Sequence, residues 1–121
     1  MTGFRSLNVY TEAKQLVLEV YAILKMFPEE ERFAMCAQLR RATVSITSNI
    51  AEGMSRISAK DQIHFINIAF GSLMEVLSQL DVSCDLGYIS NDDFLRIELS
   101  IKKIAKMLSG LRTSIEQLNN L

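Results

Sequence analysis

Apolar residues recur every three or four positions along the chain, which is the spacing of one face of an α-helix. The first such stretch runs from Asn8 to Phe27, and the second continues to about Glu52. The repeating positions of the first are Val9, Ala13, Leu16, Val20, Leu24 and Phe27. Those of the second are Cys36, Leu39, Thr43, Ile46 and Ile50. The pattern predicts two amphipathic helices.

Two longer stretches in the second half of the chain have the same periodicity. The third repeats at Ile63, Ile66, Phe70, Leu73, Leu77, Leu80 and Cys84. The fourth repeats at Phe94, Ile97, Ile101, Ile104, Leu108, Leu111, Ile115 and Leu118. Each stripe keeps a strict alternation of three and four residues over several turns, which predicts two further helices.

The residues between these stretches are typical of helix ends. Pro28 stops the first helix and is expected to open the second, and Gly53 is expected to cap the end of the second. Ser58 and Ser90 each precede an acid by three residues, a variant of the capping box. Gly87 fits a Schellman ending for the third helix. Short connections between long helices predict one domain, 1–121, folded as an all-α, antiparallel up-down-up-down four-helix bundle.

Composition agrees with this fold and narrows the class of protein. The chain has 121 residues, 49% of them hydrophobic, with a single proline. A disordered or fibrous protein is therefore not expected. The N-terminus has no signal-peptide pattern, and polar residues interrupt the most apolar stretch, 63–80, so we expect a cytoplasmic protein that does not enter a membrane. Cys36 and Cys84 are expected to be free thiols.

The chain has more apolar side chains than the core of one bundle needs. Several lie away from the main stripes of the first and third helices, and a helix that is apolar on more than one face has more than one partner. We therefore predict a homo-oligomer. Its candidate interface residues are Leu18, Tyr21, Ile23, Phe65, Ile68 and Val76. The alternative is a wider core within a monomer.

No pattern in the sequence indicates catalysis or a cofactor. A di-iron bundle needs two Glu-x-x-His pairs, whereas this chain has one histidine, His64, three residues after Asp61. We therefore predict no metal site, no catalytic residues, no cofactor and no enzyme activity. Isolated glycines also exclude the phosphate-binding loops.

Basic residues offer a candidate nucleic-acid site at Arg40, Arg41, Arg56 and Lys60. The net charge of −1 is unlike that of most nucleic-acid-binding domains. Repetition around a ring of subunits would concentrate a modest patch, because phosphate contacts add across copies.

Residues 38–53, QLRRATVSITSNIAEG, resemble the signature of the four-helix bundle proteins encoded in 23S rRNA intervening sequences. Residues 4–10, 27–33, 69–75 and 85–89 agree with it in order along the chain. Within the signature, Arg40, Arg41, Ser48, Asn49 and Glu52 match, whereas Thr47 stands where the family usually has proline.

The resemblance implies a small cytoplasmic bacterial protein that assembles into a homopentameric ring. The family is similar to the accessory proteins of diversity-generating retroelements, which bind nucleic acid. The resemblance therefore favours a non-enzymatic homo-oligomer associated with RNA or DNA. The alternative is a protein-interaction adaptor that does not bind nucleic acid. The resemblance also suggests that Asn49 and Glu52 bond backbone groups or Arg56 near the end of the second helix.

Overall fold

The computed structural model describes residues 3–120 as four long α-helices without a strand in that range. The helices are α1 (Asn8–Leu24), α2 (Met35–Met54), α3 (Ala59–Asp85) and α4 (Asn91–Leu118). Short 3₁₀ turns at Gly3–Ser6 and Glu29–Glu31 precede α1 and α2. The predicted all-α bundle is confirmed.

The four helices form a closed square in cross-section. Each helix packs against the next along the chain, and α4 returns to pack against α1, so α1 lies diagonally opposite α3 and α2 lies opposite α4. The α1/α2 face and the α3/α4 face are consequently on opposite sides of the bundle. This arrangement matters for every surface described below.

Side-chain contacts give the directions of α2, α3 and α4. Gln79 Nε2 donates to Gln38 Oε1 near the start of α2, whereas Gly53 near its end lies against Phe65. Residue numbers thus rise along α2 as they fall along α3, and the two helices are antiparallel.

Contacts at both ends of the α3–α4 pair also show the relative direction of these two helices. Cys84 Sγ lies 3.0 Å from Asn91 Oδ1, and Arg112 Nη1 donates to Asn67 Oδ1 at 3.1 Å. These contacts place the end of α3 beside the start of α4, so α3 and α4 are also antiparallel.

The predicted caps of α3 and α4 are confirmed. Ser58 Oγ accepts from the backbone N–H of Asp61, and Ser90 Oγ accepts from that of Asp93, both at 3.1 Å. At the end of α3, Gly87 has φ +81°, the N–H of Tyr88 donates to Ser83 O and that of Gly87 donates to Cys84 O. This is the Schellman motif.

The predicted start of α2 and its predicted C-cap are wrong, whereas its end at Met54 lies within two residues of the prediction. Pro28 opens the 3₁₀ turn at Glu29–Glu31 instead of α2, which begins seven residues later at Met35. There Glu31 Oε1 accepts the backbone N–H of Met35 at 3.3 Å, so one carboxylate satisfies a donor of the first turn. Gly53 lies inside α2 and does not cap it.

Gly53 is explained by the packing of α2 on α3. A Cβ at this position would lie 3.1 Å from Phe65 Cβ and 3.2 Å from Gln62 O. The glycine therefore allows the two helices to approach closely, in agreement with the many small residues of α2.

The core contains the predicted stripes of α1 and α2 in full. In α3 the predicted stripe is rotated from the observed one, because Phe70 is 36% exposed while Ala69 and Val76 are fully buried. The reason is that α3 packs most closely on α2, so its buried face includes the small side chains that meet that neighbour. In length and composition α3 could span a membrane, and here its buried face packs against α2 and α4.

Candidate interaction surfaces

No group of three His, Cys, Asp or Glu side chains in residues 3–120 could hold a metal ion. His64 is exposed, with its ring edge against Phe65 at a centroid separation of 5.2 Å. Both cysteines are free; Cys36 is buried, and this burial raises the pKa of its thiol. The geometry around these side chains provides no nucleophile paired with a base.

The four candidate nucleic-acid residues fall into two separate groups. Arg40 and Arg41 lie near the start of α2, whereas Arg56 and Lys60 lie in and after the α2–α3 turn. At 1.5 Å per residue, α2 separates Arg40 from the end of the helix at Met54 by about 21 Å. Within one chain these residues therefore do not form a single patch.

Two of the four arginine and lysine side chains have partners within the chain. Arg40 Nη2 donates to the carbonyl oxygen of Arg32 at 3.0 Å. Arg56 Nη2 lies 2.7 Å from Glu52 Oε2, and its guanidinium lies 4.8 Å from the centroid of the Phe65 ring. Arg41 and Lys60 have no carboxylate within ion-pair distance in the described residues.

The α1/α2 face carries apolar and basic side chains next to each other. Tyr21 and Val44 line a shallow hollow together with Arg40 and Arg41, and an adjoining hollow adds Lys25. Val44 is 39% exposed although it is aliphatic. No carboxylate lines either hollow, although Arg41 also borders a third hollow that contains Glu75 of α3. This face therefore presents apolar side chains next to basic ones.

The α3/α4 face contains two hollows along the same pair of helices, which the periodicity did not indicate and which are together called the α3/α4 groove. At one end Ile66, Phe70 and Leu108 line a hollow of roughly 340 Å³, where Arg112 bonds Asn67 across the two helices. The other end is lined by six further residues, of which three are apolar and two are acidic. They are Met74, Leu77, Ser78, Asp81, Phe94 and Glu98.

Gly71 lies in the wall of this groove, in the middle of α3. A Cβ built on it would have no heavy atom within 4 Å, unlike the one built on Gly53. The packing of the chain on itself therefore does not require this glycine, although glycine inside a helix costs about 1 kcal/mol relative to alanine. A glycine in the middle of a regular helix is a sequence signal that could have pointed to this groove, although Gly110 has equally open surroundings.

The predicted interface residues are only partly at the surface. Leu18 (60% exposed), Tyr21 and Ile68 are exposed, and Phe65 is half-buried against Gly53 and Arg56. Ile23 and Val76 are buried in the core of their own chain, at 5% and 0% exposure. The prediction is wrong for these two residues, because the helices turn them inward and a second subunit cannot reach them.

Comparison with known proteins gives the chain a family. A model of the family described as 23S rRNA-intervening sequence protein matches residues 5–110. The chain belongs to this family. A solved structure of a protein of unknown function from the S23 ribosomal protein family of Bacteroides thetaiotaomicron has the same fold, with a TM-score of 0.80 and 25% identity over 86% of this chain and 97% of that one. No curated protein matches.

In this 23S rRNA-intervening sequence protein, the signature of residues 38–53 forms the contact between α2 and α3. Ser45 Oγ and Ser72 Oγ share a hydrogen bond of 2.9 Å, and Asn49 Nδ2 donates to both Ser45 O and Ser45 Oγ. The Glu52–Arg56 ion pair closes the end of this contact. The signature of this family member thus positions helices in addition to any ligand that it contacts.

Proposed function

We propose that this protein is a non-catalytic, cytoplasmic helical scaffold that assembles with copies of itself into a ring, with five subunits as the expected number. The observation that carries the proposal is the α1/α2 face, where Tyr21 and Val44 are exposed beside Arg40 and Arg41. Apolar and aromatic side chains next to arginine are typical of the centre of a protein–protein interface.

The electrostatics of the chain favour a protein partner over nucleic acid at this face. Arg40 and Arg56 already bond groups of their own chain, and the net charge of the whole chain is −1. A nucleic-acid site normally needs a concentrated basic surface.

An RNA-associated role is the second candidate, and it is supported by Arg41 and Lys60. Neither side chain has an ion-pair partner in residues 3–120, and a ring would repeat both of them around its circumference. The scaffold would then carry RNA on its basic positions. The remaining candidate is an adaptor that binds only proteins.

Light scattering coupled to size-exclusion chromatography tests the assembly. We expect a mass that is a multiple of the 13.7 kDa chain, five-fold for the predicted pentamer. A monomer at micromolar concentration would contradict the proposed function.

Filter binding with RNA tests the second candidate. Phosphate contacts are expected to weaken steeply between low and physiological salt, whereas an apolar protein contact is not. The variant Arg40→Glu/Arg41→Glu should lose RNA retention if these residues bind phosphate, and Arg56→Glu/Lys60→Glu tests the other pair. Unchanged retention in both variants would refute the RNA role, and loss of the oligomer in the first would assign its arginines to assembly.

A further inference from the structure

We infer that the α1/α2 face of one copy packs into the α3/α4 groove of the next copy, so that two different surfaces of the chain form each contact in the assembly. The inference rests on the proposed self-assembly and names the surfaces that carry it. These surfaces lie on opposite sides of the square bundle. One copy can therefore engage two neighbours at once.

The charges of the two surfaces are complementary. The hollows of the α1/α2 face are lined by Lys25, Arg40 and Arg41 without a carboxylate. The acidic end of the α3/α4 groove is lined by Asp81 and Glu98 without a cation. Two copies of the same face would instead bring like charges together, which is unfavourable.

The charges also lie within about one helical turn of each other along the bundle axis. Gln79 of α3 bonds Gln38 of α2, so these two residues are at the same level. Asp81 is two residues after Gln79, and Arg40 is two residues after Gln38. Because α2 and α3 are antiparallel, these two steps run in opposite directions along the bundle axis. The offset is therefore about 6 Å, or about one helical turn. Copies related by rotation about an axis parallel to the bundle would set the cations of one against the carboxylates of the next.

The glycine in the groove is explained by the same contact. Gly71 meets nothing in its own chain, whereas an incoming helix could approach its backbone closely. Phe70, which the periodicity places in the core but which is partly exposed, would then be covered by the neighbour. A contact between two different surfaces forms a ring when the rotation that repeats it closes, and an open filament when it does not, in contrast to the self-complementary contact of a two-fold dimer.

Two single variants test the inference because each blocks one surface. Val44→Glu places a carboxylate on the α1/α2 face, and Gly71→Arg places a bulky cation in the groove, at a position where an added Cβ meets no atom of its own chain. The matched control is Gly110→Arg, since Gly110 is also an exposed glycine inside a helix with open space around its Cβ, but lies outside the groove lining.

We expect each blocked variant to sediment as the 13.7 kDa monomer and the control to assemble like the wild type. Mixed together, the blocked variants should form a one-to-one pair and nothing larger, because each retains the surface that the other lacks. Circular dichroism spectra like that of the wild type would show that all three fold.

A charge exchange tests the same contact independently. Arg41→Glu should lose the assembled species, and Arg41→Glu/Glu98→Arg should recover it, because the opposite charges are restored across the interface. Three results would overturn the inference while leaving the proposed scaffold intact: an assembled wild type whose blocked variants also assemble, blocked variants that form no pair when mixed, or no recovery by the charge exchange. A monomeric wild type would instead refute both proposals.

Discussion

The hydroxyl of Tyr88 donates to Glu31 Oε2 at 3.1 Å and joins the two connections at one end of the bundle. Tyr88 follows α3, and Glu31 belongs to the 3₁₀ turn before α2. The other carboxylate oxygen of Glu31 accepts the backbone N–H of Met35, and the Tyr88 ring packs on Phe27 at a centroid separation of 5.5 Å. One carboxylate therefore orients the start of α2 and holds the α3–α4 turn.

Tyr88→Phe is expected to lower the free energy of unfolding at neutral pH. The variant keeps the ring against Phe27 but leaves Glu31 without its phenolic donor, and an unpaired partly buried acceptor is unfavourable. Urea unfolding followed by circular dichroism measures the loss. Tyr10→Phe is the control, because the Tyr10 hydroxyl makes no hydrogen bond in the described residues; an equal loss in both variants would contradict the prediction.

The difference between wild type and Tyr88→Phe should also depend on pH. Burial, and then the hydrogen bond to Glu31 and its negative charge, raise the pKa of Tyr88 above its ordinary value of 10.0. The folded state therefore binds this proton more tightly than the unfolded state, and the stabilisation is complete below about pH 10 and is lost as the pH rises through the folded pKa. Unfolding curves between pH 7 and pH 11 should converge for the two proteins, and a constant difference would contradict the assignment.

Gly53→Ala is expected to destabilise the bundle although alanine is the better helix former. The added methyl group would lie 3.1 Å from Phe65 Cβ and 3.2 Å from the Gln62 carbonyl oxygen, so these atoms of α3 must shift by a few tenths of an ångström. Overpacking of this kind costs about 1–3 kcal/mol. Gly110→Ala, where the methyl group meets nothing, should gain about 0.5–1 kcal/mol. The thermal midpoints of the two variants should move in opposite directions, and a rise in both would show that α2 and α3 have room to adjust.

The spacing of apolar residues predicted the four helices because each helix buries one face. A buried face appears in the sequence as an apolar residue at every third or fourth position. The caps at Ser58 and Ser90 were predictable for a related reason, since they are local hydrogen bonds within a few residues. The start of α2 was not predictable from Pro28. Proline can open a 3₁₀ turn as well as an α-helix. The start of α2 at Met35 is stabilised by Glu31, whose carboxylate also accepts a hydrogen bond from the distant Tyr88.

The surfaces were harder to predict than the core. Periodicity distinguishes an inner from an outer face, but the closeness of α2 and α3 rotated the buried face of α3 and exchanged the expected positions of Phe70 and Val76. The Arg40–Arg41 pair and the Arg56–Lys60 pair are separated by few residues in the sequence, but they lie near opposite ends of α2. Only the packed bundle shows which of them have partners.

Thr43→Val is expected to raise the free energy of unfolding. Thr43 is fully buried in the core, and its hydroxyl has no hydrogen-bond partner in the described residues. A buried hydroxyl without a partner costs about 1–3 kcal/mol, and valine replaces it with a methyl group of similar shape. Thr43→Ser is the matched variant, because it keeps the hydroxyl and loses the methyl group, and it should be less stable than the wild type. The urea midpoint should be highest for the valine variant, intermediate for the wild type and lowest for the serine variant. A valine variant with a lower midpoint than the wild type would mean that the Thr43 hydroxyl has a hydrogen-bond partner.

The two thiols are expected to react at very different rates in the folded protein. Cys36 is 4% exposed and its pKa is raised, chiefly by burial and only partly offset by the nearby positive charge of Arg40, whereas Cys84 is half-buried beside Asn91. Since the thiolate is the reactive form and needs access to the reagent, Cys84 should be modified first by a disulfide reagent at pH 8. In Cys84→Ser the remaining thiol should react only as fast as the protein opens, so its rate should rise with urea in parallel with unfolding. Fast modification of Cys36 in the native variant would show that the α2 core opens without global unfolding.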